Sequence, residues 1–110
     1  MPDEEPPIVE ILKPIDALYF FDQEFFQLPF PIPIALGALT VDVTATDNRS
    51  DISKVEIFID DALKTTMTSA PYSYYWDDFG LFIYNLRVVA YDSADPPNYT
   101  SVTKAVIKIL

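Results

Sequence analysis

Apolar residues in this chain recur at every second position, in short runs that proline and aspartate keep interrupting. No window carries the i, i+3, i+4, i+7 stripe of a helix packed on a core. Period two sends alternate side chains to opposite faces of an extended strand, so the core must be built from half-buried sheets. Leu39, Val41, Val43 and Ala45 alternate with Thr40, Asp42, Thr44 and Thr46 in the clearest run. Val55, Ile57 and Ile59 alternate with Glu56, Phe58 and Asp60. Leu63 to Thr68 returns after Asp60-Asp61 as a hairpin whose two-residue turn demands positive φ at both centres. Ile8 to Lys13, closed by Pro14, is a first strand, and Tyr72 to Trp76, after Pro71, is an aromatic one. Leu86 to Tyr91 is a central strand, and the following loop is marked by Pro96-Pro97. The last run, Val102 to Leu110, changes face, because Val102 and Val106 share one parity and Ala105, Ile107 and Ile109 the other. That switch predicts a bulge. Lys104 and Lys108 suit the charged edge strand that resists edge-to-edge pairing.

About seven short strands at near-regular spacing predict an all-β fold, a two-sheet antiparallel sandwich of immunoglobulin type. One stretch breaks the alternation. Tyr19 to Leu36 holds five of the eight phenylalanines (Phe20, Phe21, Phe25, Phe26, Phe30) and a Pro29-x-Pro31-x-Pro33 run. Proline forbids helix and central strand alike, so residues 14–37 are expected to be a long extended crossover from the first strand to the second. It would either cap the open end of the sandwich or expose a docking patch for a neighbouring domain. Residues 1–7, acidic and proline-rich, read as a stiff linker and not as a signal peptide. Residues 8–110 then form one domain, since 110 residues supply one core and leave no room for a second.

The chain has no cysteine and no histidine, which removes disulfides, thiolate or imidazole zinc sites, cysteine nucleophiles and the Ser-His-Asp triad. Gly37 and Gly80 are its only glycines, too few for a phosphate-cradling loop. Seven basic against 17 acidic side chains give a net charge of -10, which opposes nucleic acid. The longest apolar stretch, Leu28 to Leu39, is broken by prolines and falls short of the ~20 residues of a membrane span. Carboxylate chemistry is the enzymatic option left, and it needs two acids facing each other across a substrate. The adjacent pairs Asp60-Asp61 and Asp77-Asp78 instead sit in turns, where aspartate bonds nearby backbone. No catalytic residue is expected.

Three surface features carry candidate chemistry. Asp47 and Asp51 lie in one predicted loop and Asp92 and Asp95 in another at the same pole of the sandwich, so their hard oxygens could converge on calcium as the one cofactor to consider. Solvated turns are the plainer reading. Tyr72, Tyr74, Trp76 and Phe79 could form a stacking platform for a polysaccharide, while period two sends alternate members of that strand into the core. Asn48-Arg49-Ser50 and Asn98-Tyr99-Thr100 match the glycosylation acceptor pattern, which matters if the chain is exported and its host glycosylates it.

Val55-Glu56-Ile57-Phe58-Ile59-Asp60-Asp61-Ala62-Leu63, Ala70-Pro71-Tyr72-Ser73-Tyr74-Tyr75-Trp76-Asp77 and Val88-Val89-Ala90-Tyr91-Asp92 resemble, in order, the V-E-F-Y-I-D-G-x-L, A-P-Y-x-x-x-W and V-x-A-x-D blocks of bacterial and archaeal Ig-like domains. Pro7 to Pro14 and Ala45-Thr46-Asp47 are similar too. The resemblance implies an accessory module of an exported, multidomain or cell-surface protein, a spacer or docking unit with no catalytic residue. Its partners would be neighbouring domains or another surface protein, and its place extracellular. Two alternatives stay open: a carbohydrate-binding module, and a calcium-stabilised joint between domains. The chain departs from that family at Asp51, Asp61 and Asp95, where glycine is usual, and in extra length at Leu81-Phe82-Ile83.

Overall fold

Strand pairing in the computed structural model, which describes residues 5–48 and 50–110, follows the period-two runs closely. The strands are β1 (Ile8–Lys13), β2 (Ala17–Phe20), β3 (Gln23–Gln27), β4 (Ile34–Leu36), β5 (Leu39–Thr46), β6 (Ile52–Ile59), β7 (Ala62–Met67), β8 (Tyr72–Trp76), β9 (Leu81–Asp92) and β10 (Tyr99–Ile109). A three-stranded sheet, β1-β5-β8, faces a seven-stranded sheet, β3-β2-β4-β10-β9-β6-β7. Leu39, Val41 and Trp76 of the first meet Val55, Ile57, Leu86, Val88 and Val106 of the second, all buried. Trp76 stands edge-on to Tyr84 at 5.5 Å, a favourable arrangement for two ring quadrupoles.

The crossover departs from expectation, and it raises the strand count from about seven to ten. Residues 14–37 contain three strands of their own. β2 and β3 form a hairpin with a bulge near Leu18, and β4 runs parallel to both β2 and β10. Proline still dictates the outline, since Pro29, Pro31 and Pro33 fall between β3 and β4 and not inside either. The hairpin turn is Phe21-Asp22, with φ of 48° and 72°. Gly37, at φ 90°, lets the chain pass under this turn: a Cβ there would sit 2.7 Å from the Phe21 ring.

The last strand also corrects the sequence reading. β10 pairs with β9 without interruption from Tyr99↔Tyr91 to Ile109↔Leu81, so there is no bulge. Its even residues face the core throughout. The odd ones near its end are apolar because β4 and an early-starting β9 flank them with more apolar residues. β10 is therefore interior at Ile107–Ile109, not an edge, and Lys108 is fully buried. Of the expected linker, Met1 to Glu4 lie outside the described residues, and Pro7 is already buried, its carbonyl accepting from the Thr100 hydroxyl.

The β6–β7 turn is as expected, with Asp60 at φ 49° and Asp61 at φ 67°. Asp61→Gly, which removes the left-handed strain but loosens the unfolded chain, is expected to be neutral or stabilising by a few tenths of a kcal/mol, on the order of 0.3 kcal/mol. Asp61→Val, β-branched at positive φ, should lose about 1 kcal/mol or more in a urea melt.

Candidate functional site

Each of the two buried charged side chains among the described residues holds loop backbone in place. Asp92 closes β9 at one pole with 1% of its surface exposed. Its Oδ1 accepts from the backbone N–H of Asn98 at 2.8 Å and of Ala94 at 3.2 Å, and its Oδ2 accepts from Asn98 Nδ2 at 2.9 Å. Burial alone would raise its pKa. The bonds donated by Asn98 and by the Ala94 backbone outweigh burial and hold it below the usual carboxylate value. Asp51 and Ser93 tie the two loops together, Ser93 N donating to Asp51 O at 2.9 Å and Asp51 N to Ser93 Oγ at 3.2 Å.

Of the four candidate calcium ligands, the structure brings together Asp47 and Asp92, whereas Asp51 and Asp95 are exposed. Among the described residues no three acidic side chains gather as a metal site. The aromatic candidates divide as period two requires. Tyr72 and Trp76 are 7% and 2% exposed, Tyr74 packs against the core from its edge, and Phe79 alone is open at 72%. The four form no common platform. Asn48 is exposed; its sequon partner Arg49 lies outside the described residues. Asn98 spends the nitrogen that a glycan would occupy on Asp92.

One residue was missed by the sequence reading and another, Lys108, was expected on an exposed edge. Asp22, in the β2–β3 turn, accepts from Lys13 Nζ at 2.8 Å, Thr40 N at 2.6 Å and Thr40 Oγ1 at 2.6 Å. It thereby latches the hairpin to the end of β1 and the start of β5. Burial opposes its ionisation, but the bonds from Lys13 and Thr40 prevail and lower its pKa. An aspartate beside a bulky residue between two short apolar runs was the signal available, since aspartate tolerates positive φ. Lys108, at the opposite pole, donates from Nζ to Asp78 O at 2.6 Å and Leu110 O at 2.7 Å, with the charge 5.5 Å from the Trp76 ring centre. Burial lowers its pKa, opposed by Asp78 and Asp77. Gly80 makes room for it, because a Cβ there would lie 3.0 Å from the lysine stem.

A sandwich of a three-stranded and a seven-stranded sheet packed face to face belongs to the class of immunoglobulin-like modules. Residues 34–105 match the model of the bacterial Ig domain, and the chain belongs to that family. Among solved structures it is similar to the fibronectin(III)-like modules of Clostridium thermocellum CbhA, at 21% identity and a TM-score of 0.69, over 94% of this chain and 47% of that one. It is also similar to an engineered protein at 18% identity and a TM-score of 0.53, over 94% of this chain and 20% of that one. The chain thus spans about half or less of the structures it matches. No curated protein matches it.

Asp22 and Asp92 have lowered pKa values in the fold, so near and below pH 4 the unfolded chain binds more protons than the folded one. Their stabilisation should be full above about pH 4, the ordinary aspartate value, and drain away as pH falls further. Denaturant midpoints between pH 7 and pH 2 will show it. Asp22→Asn keeps the turn but loses the charged acceptor, and should cost ~1.5–3 kcal/mol at pH 7 while flattening the acid limb.

Proposed function

We propose that the chain is a non-catalytic accessory module of an exported multidomain protein, serving as a spacer and docking unit at the cell surface or outside the cell. The observation that carries this reading is the placement of its buried charges. Asp92 and Lys108 lie near opposite ends of β9, roughly 30 Å apart at the ~3.4 Å rise of an antiparallel strand. Each immobilises the loops of its own pole. An elongated body of 47 × 25 × 20 Å with both ends clamped suits a part that must keep a fixed distance between its neighbours. Membership of the bacterial Ig domain family and the likeness to modules of a longer chain support the same reading.

Glycan arrays and insoluble-polysaccharide pull-downs with this chain should stay at background. Tyr75 and Phe79 are the exposed rings of that region, at 57% and 72%, so a polysaccharide signal abolished by Tyr75→Ala or Phe79→Ala in a folded protein would replace the spacer reading with carbohydrate binding. Trp76→Ala is unsuited to this test, because truncating a buried tryptophan costs ~3–5 kcal/mol. Calcium is expected to leave the melting temperature where EDTA leaves it. A site filled only in the fold would add about 2.7 kcal/mol at a hundredfold excess over Kd, and such a rise would make the acidic pole a calcium-stabilised joint.

A further inference from the structure

Register places eight apolar side chains in two adjacent rows on the outer face of the large sheet. Tyr19, Ala35 and Lys108 point into the core, so their strand neighbours point out. Pairing aligns Phe20, Leu36, Ile109 and Leu81 in one row and Leu18, Ile34, Ile107 and Ile83 in the next. Phe26 extends the second row beyond Leu18. A shallow hollow of about 320 Å³ lies at the far end, lined by Leu81, Phe82, Ile83, Ile107 and Ile109. Phe20, Leu81 and Ile83 are 50%, 64% and 48% exposed.

The other half of the same face is treated differently. Arg87 lies over the Phe58 ring at 4.3 Å and Lys54 over the Tyr91 ring at 4.7 Å, so long cationic side chains cover the apolar surface there. The two rows across β2, β4, β10 and β9 contain no ionisable residue, and among the described residues no cation lies over their rings. We infer that this apolar band is the docking face for a neighbouring domain of the same polypeptide, a contact that rests on the modular reading above.

Area and charge select this occupant over a second copy. Four strands about 4.8 Å apart and two rows about 7 Å apart give a footprint on the order of 300 Å², against the ~800 Å² each partner contributes to a standard interface. A free partner would bind such a face poorly. A tethered one, at the millimolar effective concentration of a short linker, does not need the missing area. A second copy would also bring another chain of charge -10 against this one. The occupant's face is therefore apolar at its centre, with a neutral or basic rim.

The test compares hydroxyl-radical labelling of Phe20, Ile83 and Ile109 in this 110-residue chain and in the natural full-length polypeptide. Labelling should fall about fivefold or more in the full-length protein, as expected if tethering keeps the docked state predominant. Leu81→Lys with Ile83→Lys should restore labelling of Phe20 and Ile109 without changing the melting temperature of the isolated chain. If that pair disturbs the fold, Phe20→Ser tests the row from its other end, with Ile83 and Ile109 as reporters. Equal labelling in both proteins overturns the inference, as does protection that survives the substitutions. A dimer of the isolated chain in sedimentation, lost with Ile83→Lys, overturns it in favour of a second copy. A full-length protein with no other folded domain would sink the modular reading itself, whereas further domains beside an unprotected band would sink only this contact.

Discussion

The long unbroken ladder between β9 and β10 is the constraint on which the rest of the molecule depends. It runs from Tyr99↔Tyr91 to Ile109↔Leu81, and it has no register shift. Because side-chain direction has period two, one slip anywhere would turn every residue of β10 over. Val106 would leave the core and Ile107 would enter it. The same ladder fixes the distance between the poles, since Asp92 ends β9 at one and Lys108 pairs with Phe82 near the other. It also aligns Ile83 with Ile107 and Leu81 with Ile109, so the apolar outer rows follow from the register that forms the core.

Lys108 shows how this ladder accommodates a costly group. A buried ammonium loses its hydration, and the fold compensates with two backbone oxygen acceptors and the face of Trp76. The acceptors belong to Asp78 and Leu110, and Gly80 and Leu110 exchange backbone hydrogen bonds beside them. A hydrophobic residue of the same volume would pack here with less desolvation, but it would leave the Asp78 carbonyl without its donor. The lysine thus orders the Asp77–Gly80 loop against the end of β10. Asp22 does comparable work for the inserted hairpin, using the opposite charge. Without it the Phe21-Asp22 turn, at positive φ for two non-glycine residues, would have little to hold it against β1 and β5.

Alternation made most of the sandwich legible. β5 has one apolar and one polar face, and β6 departs from that only at Phe58, so their direction could be read from residue type alone. The Asp60-Asp61 turn was equally plain, because a two-residue connection between such strands leaves little choice of φ. The crossover resisted for a physical reason. β2, β3 and β4 are three to five residues long, and the outer side of their sheet is apolar where an ordinary strand would be polar. Short runs that are apolar on both faces carry no period. β10 misled for the same reason: Ile107 and Ile109 look like core residues, and Lys108 between them looks like surface.

The candidate sites were less legible, since residue type records what a side chain can bond and not what already bonds it. Asp92 has the chemistry of a calcium ligand and Asn98 that of a glycan acceptor, yet each is the other's partner at 2.9 Å. The apolar band has the converse history. Its eight residues come from four separate runs, none remarkable alone, and only strand order makes them contiguous. Parallel placement of β4 between β2 and β10 is the step that joins them. A crossover that stayed irregular would have left Ile107 and Ile109 as an exposed edge beside Ile83 and Leu81. By adding strands there, the insertion covers the edge of β10 and at the same time doubles the width of its bare face. The strands that cover the edge of β10 and move the sheet's edge out to β3 are therefore also what makes the apolar rows contiguous.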